Sequence, residues 1–208
     1  MSAPATVAVR DASYRAPAPA HPIGIALLGL GQIGAAVARL VHDGHSRARL
    51  TGALVRDLSR VRPRCGPIDL TTDPERVFAA RPDVLVEVLG GVEPARTLVL
   101  AALERRIPVV TGNKTLVAHH GEELLEAAAR NATAFRYEAC VLAGVPFLGT
   151  FAARPLAARV TTLTGIVNGT SNYVLSRATA DGLPVAAAIA DAQRLGFAEP
   201  DPASDMDG

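Results

Sequence analysis

The chain has almost no lysine, no tryptophan and few cysteines. Lys114 is the single lysine among 21 Lys and Arg, so arginine supplies every other permanent positive charge. The two cysteines, Cys65 and Cys140, are far apart and lack the spacing of a metal motif, which excludes a disulfide-rich or zinc-ribbon fold. Since no secretory signal sequence is recognisable either, we expect a cytoplasmic protein.

A surplus of charge of either sign is also missing. The 21 Lys and Arg against 20 Asp and Glu leave a formal net charge of +1, which argues against general binding to nucleic acid or to acidic membranes. No apolar run is long enough to cross a bilayer. We therefore expect small-molecule partners, and the 49% hydrophobic content of the 208 residues predicts a sizeable core.

Residues 1–22 are rich in alanine and proline and show no sustained periodicity, which predicts a flexible N-terminal segment. A mitochondrial transit peptide is the alternative, because arginine and serine are present. Pro17, Pro19 and Pro22 argue against it, since they interrupt any long amphipathic helix.

From Ile23 onwards, apolar strands alternate with helices. The stretch "IGIALLGLGQIGAAVARLVHDG" predicts a strand, a glycine turn and a helix that ends near Gly44. Further strands are expected in "ARLTGALVRD", "DVLVEVLGG", "IPVVTGN" and "AFRYEACV", and further helices in "PERVFAARP", "PARTLVLAALERR" and "HHGEELLEAAARN". The strands are apolar on both faces, which is typical of a parallel sheet covered on both sides. We predict an α/β fold with a Rossmann-type nucleotide-binding domain over residues 23–145. A Thr-rich strand, a polar turn and a helix follow, which predicts part of a mixed α/β domain over residues 146–208.

Three glycines follow the first strand directly. Gly29, Gly31 and Gly34 form G-x-G-x-x-G, with Gln32 and Ile33 inside the loop. In a dinucleotide site the first glycine makes the turn, the second lets the backbone approach a pyrophosphate, and the third lets the helix pack on the strand. An ordinary strand-to-helix corner is the alternative, but the flanking strand and helix favour dinucleotide binding.

The end of the second strand predicts which dinucleotide is bound. An acidic residue there would accept from the ribose 2′-hydroxyl of NAD, whereas this chain has Arg56, followed by Asp57 and Arg60. A guanidinium suits a 2′-phosphate, so NADP is favoured over NAD. An ordinary solvated loop arginine remains the alternative interpretation.

Five longer motifs carry a resemblance to a known family. "GLGQIG", "VEVLGGVEPARTLVLAALERRIPVVTGNK", "EACVLAGVPFL", "GIVNGTSNYVL" and "LGFAEPDPASDMDG" together resemble homoserine dehydrogenase, over nearly all of residues 23–208. The resemblance implies an oxidoreductase that interconverts L-homoserine and L-aspartate 4-semialdehyde with NAD(P), on the branch towards threonine, methionine and isoleucine. It also implies a nucleotide-binding domain joined to a mixed α/β substrate domain, and a homodimer.

The resemblance also implies roles for individual residues. Lys114 would lie where nicotinamide and substrate meet, although a surface lysine that flanks a helix is the alternative. Gly196 would lie near the cofactor and Glu199 would bind the substrate ammonium. A monovalent cation such as sodium would be held by Glu138, Val141, Ala143 and Val145. Cys140 is expected to be a small buried residue and not a nucleophile.

The chain ends at Gly208, where the family continues into a helix with a catalytic Asp/Lys pair. We therefore expect either a fragment of a longer enzyme or a short chain that is weakly active alone. A non-catalytic module that binds NADP is the alternative function.

Overall fold

The computed structural model describes residues 21–44, 47–60, 65–142, 144–152, 161–162, 164–196, 198 and 202–206. The chain divides into two compact units, Met1–Cys140 and Val141–Gly208. Glu199 and Ala143, two of the predicted site residues, lie outside the described residues. Within the described part, no helix combines the length and the apolar character needed to cross a membrane.

A parallel sheet forms the centre of the first unit. Its strands are β1 (Ile23–Leu28), β2 (Ala48–Leu54), β3 (Leu70–Thr71), β4 (Val84–Glu87), β5 (Val109–Thr111) and β6 (Phe135–Arg136). They lie in the order β3-β2-β1-β4-β5-β6, and every neighbouring pair is parallel. The order reverses between β1 and β4, as in doubly wound dinucleotide-binding folds. The predicted α/β class with a Rossmann-type sheet is confirmed.

In the described part of the first unit, four helices connect the strands: α1 (Gln32–His42), α2 (Pro74–Ala79), α3 (Ala95–Glu104) and α4 (Lys114–Arg130). Two of them begin at residues whose side chains cap the helix. Asp73 accepts a hydrogen bond from the Glu75 amide at 2.9 Å, and Asn113 accepts one from the Leu116 amide at 3.1 Å. Asp and Asn favour such positions because their oxygens satisfy N–H groups that lack a partner within the helix.

Each face of the sheet carries its own core. Ala26 and Leu28 of β1 belong to the larger cluster, with α2, α3 and α4, whereas Leu27 belongs to the smaller one, with α1. All three are fully buried. Successive side chains of a strand point to opposite faces, so an apolar run such as "IALL" is required where both faces are covered.

Three elements differ from the sequence-based expectations. The two-residue strand β3 was not predicted. The expected strand over "AFRYEACV" is confined to β6, because a 3-10 helix, Glu138–Cys140, follows directly. Helix α4 starts at Lys114 and not at His119, because the Asn113 cap lies five residues earlier than expected.

The described part of the second unit contains α5 (Phe147–Ala152), α6 (Gly169–Asp181), α7 (Val185–Leu195) and α8 (Ala203–Met206). Its small core joins Val174 of α6 to Ala188 and Ala192 of α7. Asn168 caps α6 through the Ser171 amide and also donates to Asp205 of α8 at 2.9 Å. The predicted Thr-rich strand falls partly outside the described residues, and residues 164–168 are not in a strand.

Candidate functional site

Close packing requires glycine at two positions of the β1–α1 turn. Gly29 has a φ of +99°, and a Cβ added to it would lie 2.8 Å from the Val88 carbonyl oxygen. A Cβ added to Gly34 would overlap the carbonyl oxygen of Gly29. These contacts bring the first turn of α1 against the end of β1, as the first and third glycines of a dinucleotide-binding turn require.

The middle glycine is different, because open space surrounds it. A Cβ added to Gly31 would meet no atom within 4 Å. Gly31 is also the N-cap of α1, where no side chain caps the helix and no acidic residue occupies the first turn. The next two residues, Gln32 and Ile33, are exposed. Backbone N–H groups and the helix dipole therefore face a space that suits a pyrophosphate.

Arg56 lies just beyond the end of β2, the strand beside β1. The side chain is exposed. One carboxylate oxygen of the neighbouring Asp57 accepts hydrogen bonds from the Ser59 amide at 2.8 Å and from the Ser59 hydroxyl at 2.7 Å. This local turn engages one oxygen of the carboxylate that follows Arg56. Arg56 is therefore an accessible positive group at the end of β2.

Lys114 is the first residue of α4, and its side chain is exposed. It follows β5, which pairs with β4, which in turn pairs with β1. The carboxyl ends of parallel strands meet at one edge of a sheet, and ligands of such folds bind at that edge. The fold therefore brings the glycine turn, Arg56 and Lys114 to the same edge.

A buried polar network lies between the glycine turn and Lys114, and the sequence analysis missed it. Glu87, the last residue of β4, is fully buried and accepts hydrogen bonds from the Leu89 amide at 2.8 Å, the Asn113 side chain at 3.3 Å and the Thr111 hydroxyl. The Asn113 side chain also donates to the Gly91 carbonyl at 2.6 Å. Thr111 in turn accepts from the Asn113 amide at 3.0 Å. The ends of β4 and β5 are thus joined by side chains.

One sequence signal could have revealed this network. Glu87 is the single charge in the apolar run "VLVEVL", and a buried strand tolerates a carboxylate only where donors surround it. A glutamate in such a run predicts polar partners at the same strand end. The sequence does not identify those partners.

An ion pair joins the start of α3 to α4. The Arg96 Nε donates to Glu123 Oε2 at 2.8 Å, and a second bond forms between the same two side chains. The Arg96 guanidinium holds the pKa of Glu123 below its usual value. His120 Nδ1 lies 3.2 Å from the same carboxylate. This ion pair therefore links α3, which follows β4, to α4, which follows β5.

Cys140 is half-buried, not fully buried as expected, and its thiol donates to the Thr111 carbonyl at 3.3 Å. Burial, with the nearby negative charge of Glu87, raises the pKa of Cys140 to about 11. Because the thiolate is the reactive form, a raised pKa disfavours nucleophilic chemistry.

We expect Cys140 to react with iodoacetamide at pH 8 about a hundredfold more slowly than an exposed cysteine. The rate should rise as the pH approaches 11, because the thiolate population grows with pH. The measurement uses the Cys65→Ser variant, in which Cys140 is the remaining thiol, with glutathione as the reference. A rate at pH 8 equal to that of glutathione would contradict the expectation.

The residues predicted to hold a cation are divided between the two units. Glu138 is half-buried in the 3-10 helix of the first unit, whereas Val141 and Val145 belong to the second. Carboxylate and carbonyl oxygens are suitable donors for a hard cation. Among the described residues, no group of three or more His, Cys, Asp or Glu could hold a metal ion.

Gly196, which was predicted to lie near the cofactor, is the left-handed C-cap of α7, with a φ of +80°.

Comparison with known proteins gives matches over most of the chain. A family model described as "Homoserine dehydrogenase, NAD binding domain" matches residues 29–138, and one described as "Homoserine dehydrogenase" matches residues 146–208. The homoserine dehydrogenase of Mycobacterium tuberculosis strain H37Rv is 40% identical over 200 residues, which are 92% of this chain and 45% of that protein. The Synechocystis enzyme is 37% identical over 195 residues, 89% of this chain and 45% of that protein.

Solved structures agree with these matches. The crystal structure of a homoserine dehydrogenase from Thiobacillus denitrificans superposes with a TM-score of 0.76 at 38% identity, and covers 88% of this chain and 44% of that one. A hyperthermophilic archaeal homoserine dehydrogenase in complex with NADPH has a TM-score of 0.70 at 24% identity, and covers 89% of this chain and 65% of that one. The chain spans about 45% of the length of the curated relatives named above.

Proposed function

Since the chain belongs to the homoserine dehydrogenase family, we propose that the whole protein interconverts L-homoserine and L-aspartate 4-semialdehyde, and that its first unit binds the NADP(H) cofactor. The observation that carries this proposal is the environment of the three glycines. Gly29 and Gly34 are packed against backbone, whereas Gly31 faces open space at the uncapped start of α1. A strand-to-helix corner with no ligand would not require that contrast.

The cofactor would lie along the carboxyl edge of the sheet. The turn from Gly29 to Gly34, with Gln32 and Ile33, would hold the pyrophosphate, and Arg56 would bind the 2′-phosphate of the adenine half. Because Arg56 and Lys114 are on opposite sides of the glycine turn, the nicotinamide half would extend towards Lys114. When bound, NADP supplies a nicotinamide ring that accepts a hydride.

The chain's own residues would bind and orient the substrate. Lys114 would interact with polar groups of nicotinamide and substrate, since its ammonium is compact and has three donors. Glu199 would pair with the substrate ammonium and Gly196 would line the cofactor. Glu138 and the carbonyls of residues 141, 143 and 145 would hold a sodium ion. Residues 23–145 would form the nucleotide-binding domain and residues 146–208 part of the substrate domain. For the whole protein we propose a cytoplasmic homodimer that serves threonine, methionine and isoleucine biosynthesis.

Two measurements test this function. NADPH fluorescence should be perturbed on titration with the chain, and L-homoserine should support NADP⁺ reduction at alkaline pH in a polypeptide that spans the length of the relatives. Failure of NADPH and NADH alike to bind would contradict the proposed role of the first unit. Cofactor binding without L-homoserine-dependent reduction in the longer polypeptide would instead favour a non-catalytic binding module.

We expect Arg56→Ala to weaken NADPH binding by about tenfold and to leave NADH binding unchanged, because the guanidinium contacts a phosphate that NADH lacks. Arg49→Ala is the matched control, since Arg49 is an exposed arginine near the start of β2, at the opposite edge of the sheet. Fluorescence titration of both cofactors gives the two dissociation constants. Equal losses for NADPH and NADH, or no loss for either, would remove Arg56 from the site.

A further inference from the structure

Glu87 is followed by a short loop, Gly90–Gly91, in which both residues lack a side chain. After β4, Gly90 and Gly91 both have positive φ values, +78° and +71°, and a Cβ added to either would meet no atom within 4 Å. Side-chain packing therefore does not fix these two residues. The loop is held by polar contacts on both sides, from the Leu89 amide to Glu87 and from Asn113 to the Gly91 carbonyl.

The same contacts fix the start of α4. Asn113 is 5% exposed, and its side-chain oxygen caps the helix while its side-chain nitrogen donates to Glu87 and Gly91. The capped helix begins at Lys114, so the position of Lys114 depends on Asn113. Thr111 supports both residues, since it donates to Glu87 and accepts from the Asn113 amide. The Glu87 carboxylate thus links the Gly90–Gly91 loop, which follows β4, to the start of α4, which follows β5.

We propose that Glu87 is a positioning residue, which through Asn113 holds the Gly90–Gly91 loop and Lys114 in the arrangement that the nicotinamide half of the cofactor requires. The inference rests on the proposed function. In this fold the dinucleotide crosses the sheet at the β1–β4 switch point. With Arg56 at the adenine side, the ends of β4 and β5 lie at the nicotinamide side. Glu87 is buried, so it acts on the site through its partners.

A carboxylate suits this position because the Leu89 amide, the Asn113 side chain and the Thr111 hydroxyl all donate to it. Two N–H groups point at Oε1 and one hydroxyl points at Oε2. The amide of glutamine has one acceptor oxygen, and its other terminal atom is an NH₂ that can only donate. If the NH₂ of glutamine faced Leu89 and Asn113, both of these donors would lose their acceptor. If the NH₂ faced Thr111 instead, the Thr111 hydroxyl hydrogen would lose its acceptor. Glutamine therefore fits the space but not the hydrogen bonds.

The test compares two changes from carboxylate to amide at opposite ends of β4. Glu87→Gln alters the network, whereas Asp83→Asn is the matched control, since Asp83 accepts from the Gly24 amide at 2.7 Å at the amino end of the strand. Two ligands are titrated: NADPH and adenosine 2′,5′-bisphosphate, which has the adenine half but no nicotinamide. Thermal midpoints are measured for every variant.

We expect Glu87→Gln to weaken NADPH binding by about tenfold and to leave the affinity for adenosine 2′,5′-bisphosphate within about twofold of the wild type. Asp83→Asn should leave both affinities unchanged, whatever its effect on the thermal midpoint. A purely structural role for Glu87 predicts a different pattern, in which the two ligands are affected alike. Equal losses for both ligands, or no loss for either, would overturn the proposal.

Asn113→Ser provides a second route if Glu87→Gln does not fold. Serine retains a helix cap before Lys114 but removes the amide that donates to Glu87 and Gly91. The same selective loss of NADPH affinity is expected, and unchanged NADPH affinity would overturn the proposal. If neither NADPH nor adenosine 2′,5′-bisphosphate binds the wild-type chain, the proposed function itself fails. The selectivity of the variants for NADPH over adenosine 2′,5′-bisphosphate tests the role of Glu87 and its partner Asn113, separately from the proposed function.

Discussion

Gly31→Ala should weaken NADPH binding by about a hundredfold and lower the stability of the ligand-free protein by no more than about 1 kcal/mol, because alanine is a poorer helix N-cap than glycine. The added methyl group would meet no protein atom within 4 Å, and the φ of −82° is accessible to alanine. It would instead occupy the space through which a pyrophosphate approaches the backbone. Fluorescence titration gives the affinity, and thermal unfolding without ligand gives the stability.

Gly34→Ala is the matched variant, three residues along the same turn. Its methyl group would overlap the Gly29 carbonyl, so α1 must move away from β1, at a cost of about 3 kcal/mol in the free energy of unfolding. Gly31→Ala should therefore act mainly on binding, and Gly34→Ala mainly on stability. Wild-type NADPH affinity in Gly31→Ala would show that no pyrophosphate approaches this turn.

Lys114→Arg should lower turnover of L-homoserine by about a hundredfold at an unchanged thermal midpoint. The substitution keeps the charge but replaces a compact ammonium with a planar guanidinium. Lys114 is exposed and its neighbour Asn113 supplies the helix cap, so folding should not depend on the lysine. Turnover is measured as NADPH formation in a polypeptide that spans the length of the relatives.

The control is the exchange of arginine for lysine at the last residue of α4, Arg130→Lys. Arg130 is the last residue of the helix and forms an exposed pair with Glu126 at 3.4 Å, so Arg130→Lys should change neither turnover nor midpoint. Full turnover in Lys114→Arg would mean that Lys114 is an ordinary surface residue. A lower midpoint in that variant would assign it to the fold.

Patterns along the chain were sufficient to predict the glycine turn and the parallel sheet, apart from the short strand β3. The alternation between Leu27 and Leu28 follows from covering both faces of a strand, and the glycine spacing follows from close contacts within a few residues. Both signals are local, so a sequence contains them. The signal for the start of α4, the Asn113 cap, was local too. The β-branched residues Thr115 and Val117 lower the helix propensity of the first turn, so the helix was expected to begin later.

The Glu87 network could not be predicted in the same way. Its donors come from residues 89, 111 and 113, and two of these become neighbours of Glu87 only because β4 and β5 pair in register, with Glu87 opposite Thr111. A sequence shows that a carboxylate lies in an apolar strand, but not which groups surround it. The roles of Lys114, Arg56 and the predicted cation ligands remain predictions for a similar reason, since they depend on groups that the chain alone does not contain.

The strand order also bears on how coenzyme preference can change in evolution. Arg56 follows β2 and Lys114 follows β5, and the strands β1 and β4 lie between them. Three strand spacings separate the two positions, about 14 Å, beyond the range at which substitutions usually couple. Exchanging the residue at position 56 to switch between NAD and NADP should therefore combine additively with changes at Lys114. Homologues could therefore change their preference between NAD and NADP by substitution at the end of β2, while the nicotinamide side around Lys114 stays unchanged.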